Sequence, residues 1–303
     1  MGKTLQTTEE CSIGSWSFRF SREIYSLTEF NLKEAEKYVS DWQKMFPKGK
    51  TWVEENLGIH SLAIRFDCSI NDGHLKLYEV EERPGGIGMM KTINSLFAQK
   101  LETIQRGWPI IKTLISPLRK NHDDPLWLEE IRLEDVQKFH GLLLIRAEPD
   151  EKIYQSFEGR SVSSLSFKGD KSYGVGMGLW EEVNIDNFED LNWQKGFCLK
   201  EKQNSKSRGI EIYHPQKNQF ENEGINGFST KTRIKKVLES NGSMYCQPFI
   251  APMKSPYKRP MIFRIFFLYN LQKMRYEYAG GFWNDRPNIK VMGAENAIIG
   301  LIN

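Results

Sequence analysis

Three carboxylates, Asp67, Glu79 and Glu81, fall close together in the chain, flanked by Arg65 and Arg83, with Pro84-Gly85-Gly86 directly after. Carboxylates crowded in this way repel one another and titrate upward unless cations intervene, whether guanidinium groups or a hard divalent metal. Oxygen ligands of this kind suit magnesium, and magnesium suits a nucleotide phosphate. Two readings follow. One is a metal and nucleotide site; the other is a hairpin whose solvated face alternates in charge, as a chain with 27% charged residues can carry.

The elements that must hold these groups are legible locally. Asn71-Asp72-Gly73 is a tight-turn sequence, and the residues around it alternate as half-buried strands do, with Leu62, Ile64 and Phe66 before it and Leu75 and Leu77 after it. The segment predicts a β-hairpin. Residues two apart in a strand share a face, so Arg65 points with Asp67, and Glu79 with Glu81 and Arg83. Leu75 and Leu77 share the parity of Glu79, so the second strand must bulge or leave the core before it reaches the acids.

Arg65-x-Asp67, a spacing of 12 residues (79 − 67) to Glu79-x-Glu81, and a following Pro-Gly turn together resemble the magnesium-binding hairpin of ATP-grasp ligases. In most of that superfamily the hairpin lies near the C-terminal end, after the nucleotide-binding lysines. Its early position here resembles the circularly permuted branch that includes glutathionylspermidine synthetase. The resemblance implies an ATP-grasp-like fold of α+β or α/β class, circularly permuted, with a small α/β subdomain inserted between the metal hairpin and the lysines. It also implies that the lysines and the adenine hinge lie downstream.

Downstream, Gly196-Phe-Cys-Leu-Lys200 reads as a strand running into the loop Glu201 to Gly209, and resembles the strand-ending lysine and small-residue loop that cover ATP phosphates in the family. Small residues let backbone N–H groups approach phosphate oxygens, and a lysine supplies a point charge. A basic surface hairpin is the other reading of these residues. Gly169-Asp170-Lys171 resembles the Asp-Lys pair that provides the first phosphate-binding lysine. Gln247-Pro-Phe249-Ile250 resembles the adenine hinge, in which backbone near Phe249 and Ile250 meets adenine and the Gln247 side chain meets its amino group or the ribose. An ordinary strand ending at Pro252 fits as well, and Pro248 has no N–H to offer. Arg264 interrupts the apolar run from Met261 to Tyr269. A buried guanidinium needs an anion, either a phosphate or acyl-phosphate or a structural Asp or Glu. Arg286, after Gly280-Gly281, is a further candidate for substrate or phosphate.

The activity implied by the resemblance is ATP- and magnesium-dependent ligation of a carboxylate to an amine through an acyl-phosphate, with release of ADP. Asp67, Glu79 and Glu81 would hold magnesium, although the family often has Asn at the last position. Lys171 and Lys200 would grip phosphates, and Gln247, Phe249 and Ile250 would seat adenine. Arg65 and Arg264 would stabilise the transferred phosphoryl group, while Arg83, Gly85, Gly86 and Arg286 would receive the substrate. The acid and the amine would be small molecules or peptides. Two other readings stay open: a binding or regulatory protein that keeps the fold without turnover, and a nucleotidyl-lysine ligase of nucleic acids, for which Lys171-Ser-Tyr-Gly174 has a loose Lys-x-x-Gly form.

With 303 residues, 39% of them hydrophobic and 12% aromatic, the chain can bury a core spanning two or three subdomains. Its longest apolar runs fall far short of the roughly 20 residues that cross a bilayer. Met1-Gly-Lys-Thr-Leu5 has no apolar leader core, so a cytoplasmic location and no membrane partner are expected. A net charge of +3 and a pI near 8.5 do not reach the level of a nucleic-acid binder. The basic run Lys231 to Lys236 reads as the solvated face of a helix whose Ile234, Val237 and Leu238 turn inward. Cys11, Cys68, Cys198 and Cys246 are scattered and read as free thiols, and the histidines are equally dispersed, which argues against a His-based metal site.

The expected organisation begins with an N-terminal helical segment over 1–57, including a helix from Leu32 to Phe46. The metal hairpin and a core helix follow over 58–118, with Ile93, Leu96, Phe97, Leu101 and Ile104 at helical spacing. The small α/β subdomain occupies 119–160, starting at the polar stretch Arg119 to Pro125 and containing a helix from Leu133 to His140 and a buried strand from Gly141 to Arg146. An ATP-binding α+β unit covers 161–303.

Overall fold

Alternating apolar residues build fourteen β-strands among the described residues, and the largest sheet gathers its strands from both ends of the chain. The computed structural model describes residues 8–13, 16–45, 51–82, 85–118, 126–147, 150–163, 171–202, 209–286, 288–289 and 297–303. The strands are β1 (Thr8–Ile13), β2 (Trp16–Ser21), β3 (Ala63–Asn71), β4 (His74–Glu81), β5 (Ile111–Ile115), β6 (Leu142–Arg146), β7 (Glu181–Asn184), β8 (Phe197–Lys200), β9 (Ile210–Tyr213), β10 (Ser243–Pro248), β11 (Met253–Lys254), β12 (Pro260–Asn270), β13 (Arg275–Asp285) and β14 (Ile298–Ile302). The α-helices are α1 (Glu29–Lys44), α2 (Trp52–Leu57), α3 (Ile87–Ile93), α4 (Ser95–Gln105), α5 (Lys152–Phe157), α6 (Ser172–Gly176), α7 (Lys217–Asn222) and α8 (Lys231–Asn241).

Eight strands form a mixed sheet in the order β1-β2-β14-β13-β12-β3-β4, with β11 paired to β12. Its neighbours are antiparallel except β14 against β2. The strands β7-β10-β8-β9 form a second, antiparallel sheet, and β5 and β6 form a parallel pair.

Alternation along β12 divides its side chains between two cores. Phe263, Ile265 and Phe267 join Ile64, Phe66, Leu75 and Leu77 beneath Ala35, Val39 and Trp42 of α1. Phe266 and Leu268 turn the other way, onto Met89 and Met90 of α3 and Phe97, Leu101 and Ile104 of α4. Full burial of such side chains contributes about 1.5–3 kcal/mol each, so the face each takes is firmly fixed. Arg264 has the parity of Phe266 and is therefore delivered to the α3–α4 side.

Several expected elements take a different form. The first helix starts earlier than Leu32, because Thr28 caps it by accepting the Asn31 N–H at 3.1 Å. The core helix after the hairpin is two helices, divided where the Asn94 side chain accepts from Leu96 N and Phe97 N. Leu96, expected inside, is 69% exposed, while Phe97, Leu101 and Ile104 are buried. The helix expected over 133–140 is a short 3-10 turn, Leu133–Lys138. The segment drawn as 1–57 also supplies β1 and β2 to the large sheet, and β5, drawn with the hairpin, pairs with β6. The strand near 141–146, the basic helix α8 with Ile234, Val237 and Leu238 inward, and the free thiols match their expectations. The polar stretch Arg119 to Pro125 lies outside the described residues. Among the described residues no helix is long and apolar enough to cross a membrane.

Candidate active site at the β3–β4 hairpin

The hairpin turns through Asp72 and Gly73, with φ of 52° and 80°, between the paired Asn71 and His74. Two positive φ values in a two-residue loop match the twist of antiparallel strands. The register runs regularly to Cys68 opposite Leu77 and then slips, so that Asp67 faces Glu79 and Arg65 faces Glu81. Tyr78 is the extra residue of this bulge, and the bulge resolves the parity conflict in the sequence. Leu75, Leu77 and Val80 all stay in the core beneath α1, while Glu79 and Glu81 turn to the opposite face with Asp67 and Arg65. On the other side of β3, Arg264 of β12 lies directly opposite Asp67. A row Arg264, Asp67, Glu79 thus crosses three strands, and the next row sets Arg65 against Glu81.

Asp67 is the centre of this charge lattice. Arg65 forks onto it, with Nε 2.6 Å from Oδ1 and Nη2 3.1 Å from Oδ2, and its Nη1 donates to the Gly85 carbonyl at 2.7 Å. The same guanidinium lies 3.3 Å from Glu81 Oε2. Burial works against the Arg65 charge, but Asp67, then Glu81 and Glu79, hold its pKa above the ordinary arginine value. Arg264 Nε lies 3.5 Å from Asp67 Oδ2 without hydrogen-bond geometry. Burial pulls Arg264 below the ordinary value, with Asp67 opposing the drop and neighbouring Arg65 adding to it.

Lys200, at the end of β8, reaches this lattice from the second sheet, and Lys171 reaches it from the residue that precedes α6. The Lys171 N–H donates to the Lys202 carbonyl just past β8, which sets α6 beside the end of that strand. Lys171 Nζ lies 3.6 Å from Glu79 Oε1. Burial raises the Glu79 carboxyl above its usual range; Lys171 and Lys200 oppose the rise, and Glu81 and Asp67 add to it. Lys200 is buried, donates to the Tyr78 carbonyl at 2.5 Å, and sits 4.1 Å from the centre of the Trp180 ring. Burial brings its pKa down to about 8. The bulge explains the attachment, since the carbonyls of Leu77 and Tyr78 face the second sheet, where Gln247 Nε2 takes the first at 2.8 Å and Lys200 the second.

The remaining candidates are less closely gathered. Gly85 offers its carbonyl to Arg65, and Gly86, with φ of 90°, starts α3 where an added Cβ would lie 3.0 Å from Phe282. The Phe249 N–H is already donated to the Gly196 carbonyl at 3.1 Å, and its ring packs against His214, Phe220 and Phe228. Ile250 accepts from the Tyr78 hydroxyl at 3.4 Å. Arg286 lies beyond the end of β13, its N–H on the Pro260 carbonyl, about 13 Å along β12 from Arg264 at the usual strand rise. Arg83, Gly169, Asp170 and the loop residues 203–208 lie outside the described residues.

Sequence reasoning missed Tyr173 and Trp180. The Val80 N–H donates to the Tyr173 hydroxyl at 2.9 Å, between the two glutamates, and Trp180 lies between Tyr173 and Lys200. Their one trace in the sequence is Gly174, which follows Tyr173 and lets Trp180 approach.

Four cations, Arg65, Arg264, Lys171 and Lys200, surround three carboxylates, Asp67, Glu79 and Glu81. The surplus positive charge, largely removed from water, favours an anion with several oxygens. Among the described residues, no group of three His, Cys, Asp or Glu side chains is disposed to hold a metal ion as it stands. Asp67 accounts for this, because both of its oxygens already face guanidinium groups.

No protein-family model matches the chain, and no curated protein does. Among solved structures it is similar to a putative gamma-glutamylcysteine synthetase from Methylobacillus flagellatus KT, at 9% identity and a TM-score of 0.46, over 96% of this chain and 87% of that one. It is also similar to a glutathione synthetase-like effector from Globodera pallida in its apo form, at 10% identity and a TM-score of 0.40, over 93% of this chain and 88% of that one. Both likenesses are too distant to assign a fold family.

Proposed function

We propose that the chain is an ATP- and magnesium-dependent carboxylate–amine ligase that forms an amide through an acyl-phosphate and releases ADP, on a circularly permuted ATP-grasp-like fold. One observation carries this reading: the row Arg264, Asp67, Glu79, Lys171, in which three strands and a helix bring alternating charges into line, with Lys200 beside it. Lys171 and Lys200 would hold the phosphates. Arg264, whose Nε lacks a hydrogen bond among the described residues, would turn to the transferred phosphoryl group, and Arg65 would fix Asp67 and the Gly85 carbonyl. Gln247, Phe249 and Ile250 would border adenine, and Arg83, Gly85, Gly86 and Arg286 the small-molecule or peptide acid.

The donor chemistry fits magnesium. Glu79 and Glu81 lie 3.6 and 3.3 Å from their nearest cations, longer than a strong charge-assisted hydrogen bond, so each can turn an oxygen to an ion. Asp67 would join them by exchanging one guanidinium contact. A magnesium ion held there would neutralise charge on the phosphates.

The test is phosphate release from ATP by the purified chain with magnesium, screened against amino acids, short peptides and polyamines. Asp67→Asn and Glu79→Gln should abolish that release while leaving the circular dichroism spectrum intact, and unchanged turnover removes the metal assignment. Labelled ATP should leave no AMP on lysine; a covalent adduct would select the nucleotidyl-lysine reading instead. Nucleotide binding without turnover is favoured by one feature, the capture of both Asp67 oxygens by Arg65. Calorimetric ATP binding with no ADP formed across the same screen would select it.

A further inference from the structure

Lys171-Ser-Tyr-Gly174 has a structural explanation that leads beyond the lysine itself. The chain leaves α6 through Gly178, with φ of 68°, and folds back so that the N–H groups of Leu179 and Trp180 both donate to the Gly174 carbonyl, at 2.8 and 3.1 Å. The Trp180 ring then lies against Gly174, where an added Cβ would fall 2.1 Å from its Cδ2. Only a residue without a side chain leaves that space.

From this position Trp180 touches three groups that matter to the site. Its ring centre is 5.1 Å from that of Tyr173, whose hydroxyl accepts the Val80 N–H between Glu79 and Glu81. It is 6.2 Å from the ring of Tyr245, which lies opposite Lys200 in the β8–β10 ladder. Its face is 4.1 Å from Lys200 Nζ. The indole N–H finds no hydrogen-bond acceptor among the described residues, although the side chain is buried. Ring contacts therefore hold Trp180, and the face it offers to the ammonium is its contribution.

We infer that Trp180 is a positioning residue for phosphate binding: seated in the notch at Gly174, it presents Lys200 to the nucleotide and, through Tyr173, keeps the lysine in register with the acidic hairpin. The inference rests on the ligase reading, since it takes a nucleotide as the anion that Lys200 meets. A cation is drawn to a desolvated aromatic face strongly enough to decide where a flexible four-carbon side chain spends its time.

The experiment is a double-mutant cycle on magnesium-ATP affinity measured by calorimetry, with Trp180→Leu, Trp180→Phe, Lys200→Met and Trp180→Leu/Lys200→Met, each checked by thermal melting. Trp180→Leu should weaken ATP about 10- to 30-fold. Trp180→Phe, which keeps an aromatic face and lacks the N–H, should recover most of that loss. In the Lys200→Met background, Trp180→Leu should cost nothing further. Gly174→Ala removes no side chain but displaces the ring, and it should behave like Trp180→Leu. Additive losses in the double variant, or full affinity in Trp180→Leu, overturn this inference and leave the ligase reading standing. Failure of the unaltered chain to bind ATP overturns both.

Discussion

At the scale of single residues, Asp67 is the group on which the others depend. Arg65→Met would leave its buried carboxylate with Arg264 at 3.5 Å as its one remaining ion-pair partner among the described residues. Removing one partner of a buried ion pair costs about 3–5 kcal/mol, so urea denaturation should register a loss of that order; a loss below about 1 kcal/mol would place the pair in effective contact with water. Lys200 makes a separate prediction with a definite sign. Its pKa is about 8 in the folded chain, against an ordinary value of 10.5. Below about 8 the fold bears the full penalty of a buried ammonium. Between about 8 and 10.5 the unfolded chain holds a proton that the folded chain lacks, so this group makes stability rise with pH across that window. Phosphate affinity should move the other way, weakening as pH rises through about 8, and calorimetry near pH 8.5 should detect proton uptake on ATP binding. The residue types were legible in the sequence; which acid each cation would meet was not, because Arg264 and Asp67 are joined only by strand pairing across nearly two hundred positions.

At the scale of elements, the β4 bulge decides whether the site exists. Deleting Tyr78 would restore regular alternation and send either Leu75 and Leu77 or Glu79 and Glu81 to the wrong face. The deletion should yield insoluble or molten protein, and a cooperative thermal transition with retained ATP binding would contradict the role given to the bulge. The conflict of parity was visible in the sequence; its resolution was not, because leaving the core would have satisfied the same pattern. Gly281 offers a second test at this scale. A Cβ there would fall 2.4 Å from the Arg264 carbonyl, so Gly281→Ala should cost about 1–3 kcal/mol by overpacking and lower turnover by shifting Arg264. Denaturation and phosphate-release assays would check the two effects separately. Helix ends departed from expectation for local reasons. Asn94 satisfies the backbone at a break that the apolar spacing of Ile93, Leu96 and Phe97 ran straight through, and a six-residue 3-10 turn carries the same spacing as the start of a helix.

At the scale of the whole molecule, β3, β4, β6, β8 and the apolar run of β12 were legible in the sequence, whereas β1, β2, β5, β7, β11 and β14, and the order of strands in the sheets, were not. That order requires knowing that β14 returns to lie parallel to β2 and that β12 separates β13 from β3. The two sheets meet where Gln247, Lys200, Tyr173 and the Tyr78 hydroxyl cross from one to the other, which is also where the charges converge. Magnesium-ATP at 100 times its dissociation constant should therefore stabilise the chain by about 2.7 kcal/mol. A rise in melting temperature that Lys200→Met abolishes would confirm the site of action, and a rise that it leaves untouched would move the nucleotide elsewhere. The same junction has a consequence for the fate of the chain in a cell. If nucleotide binds at this seam, as the ligase reading has it, the ligand would act as a stitch between the two sheets, and a fall in its supply would loosen the molecule and expose it to proteolysis.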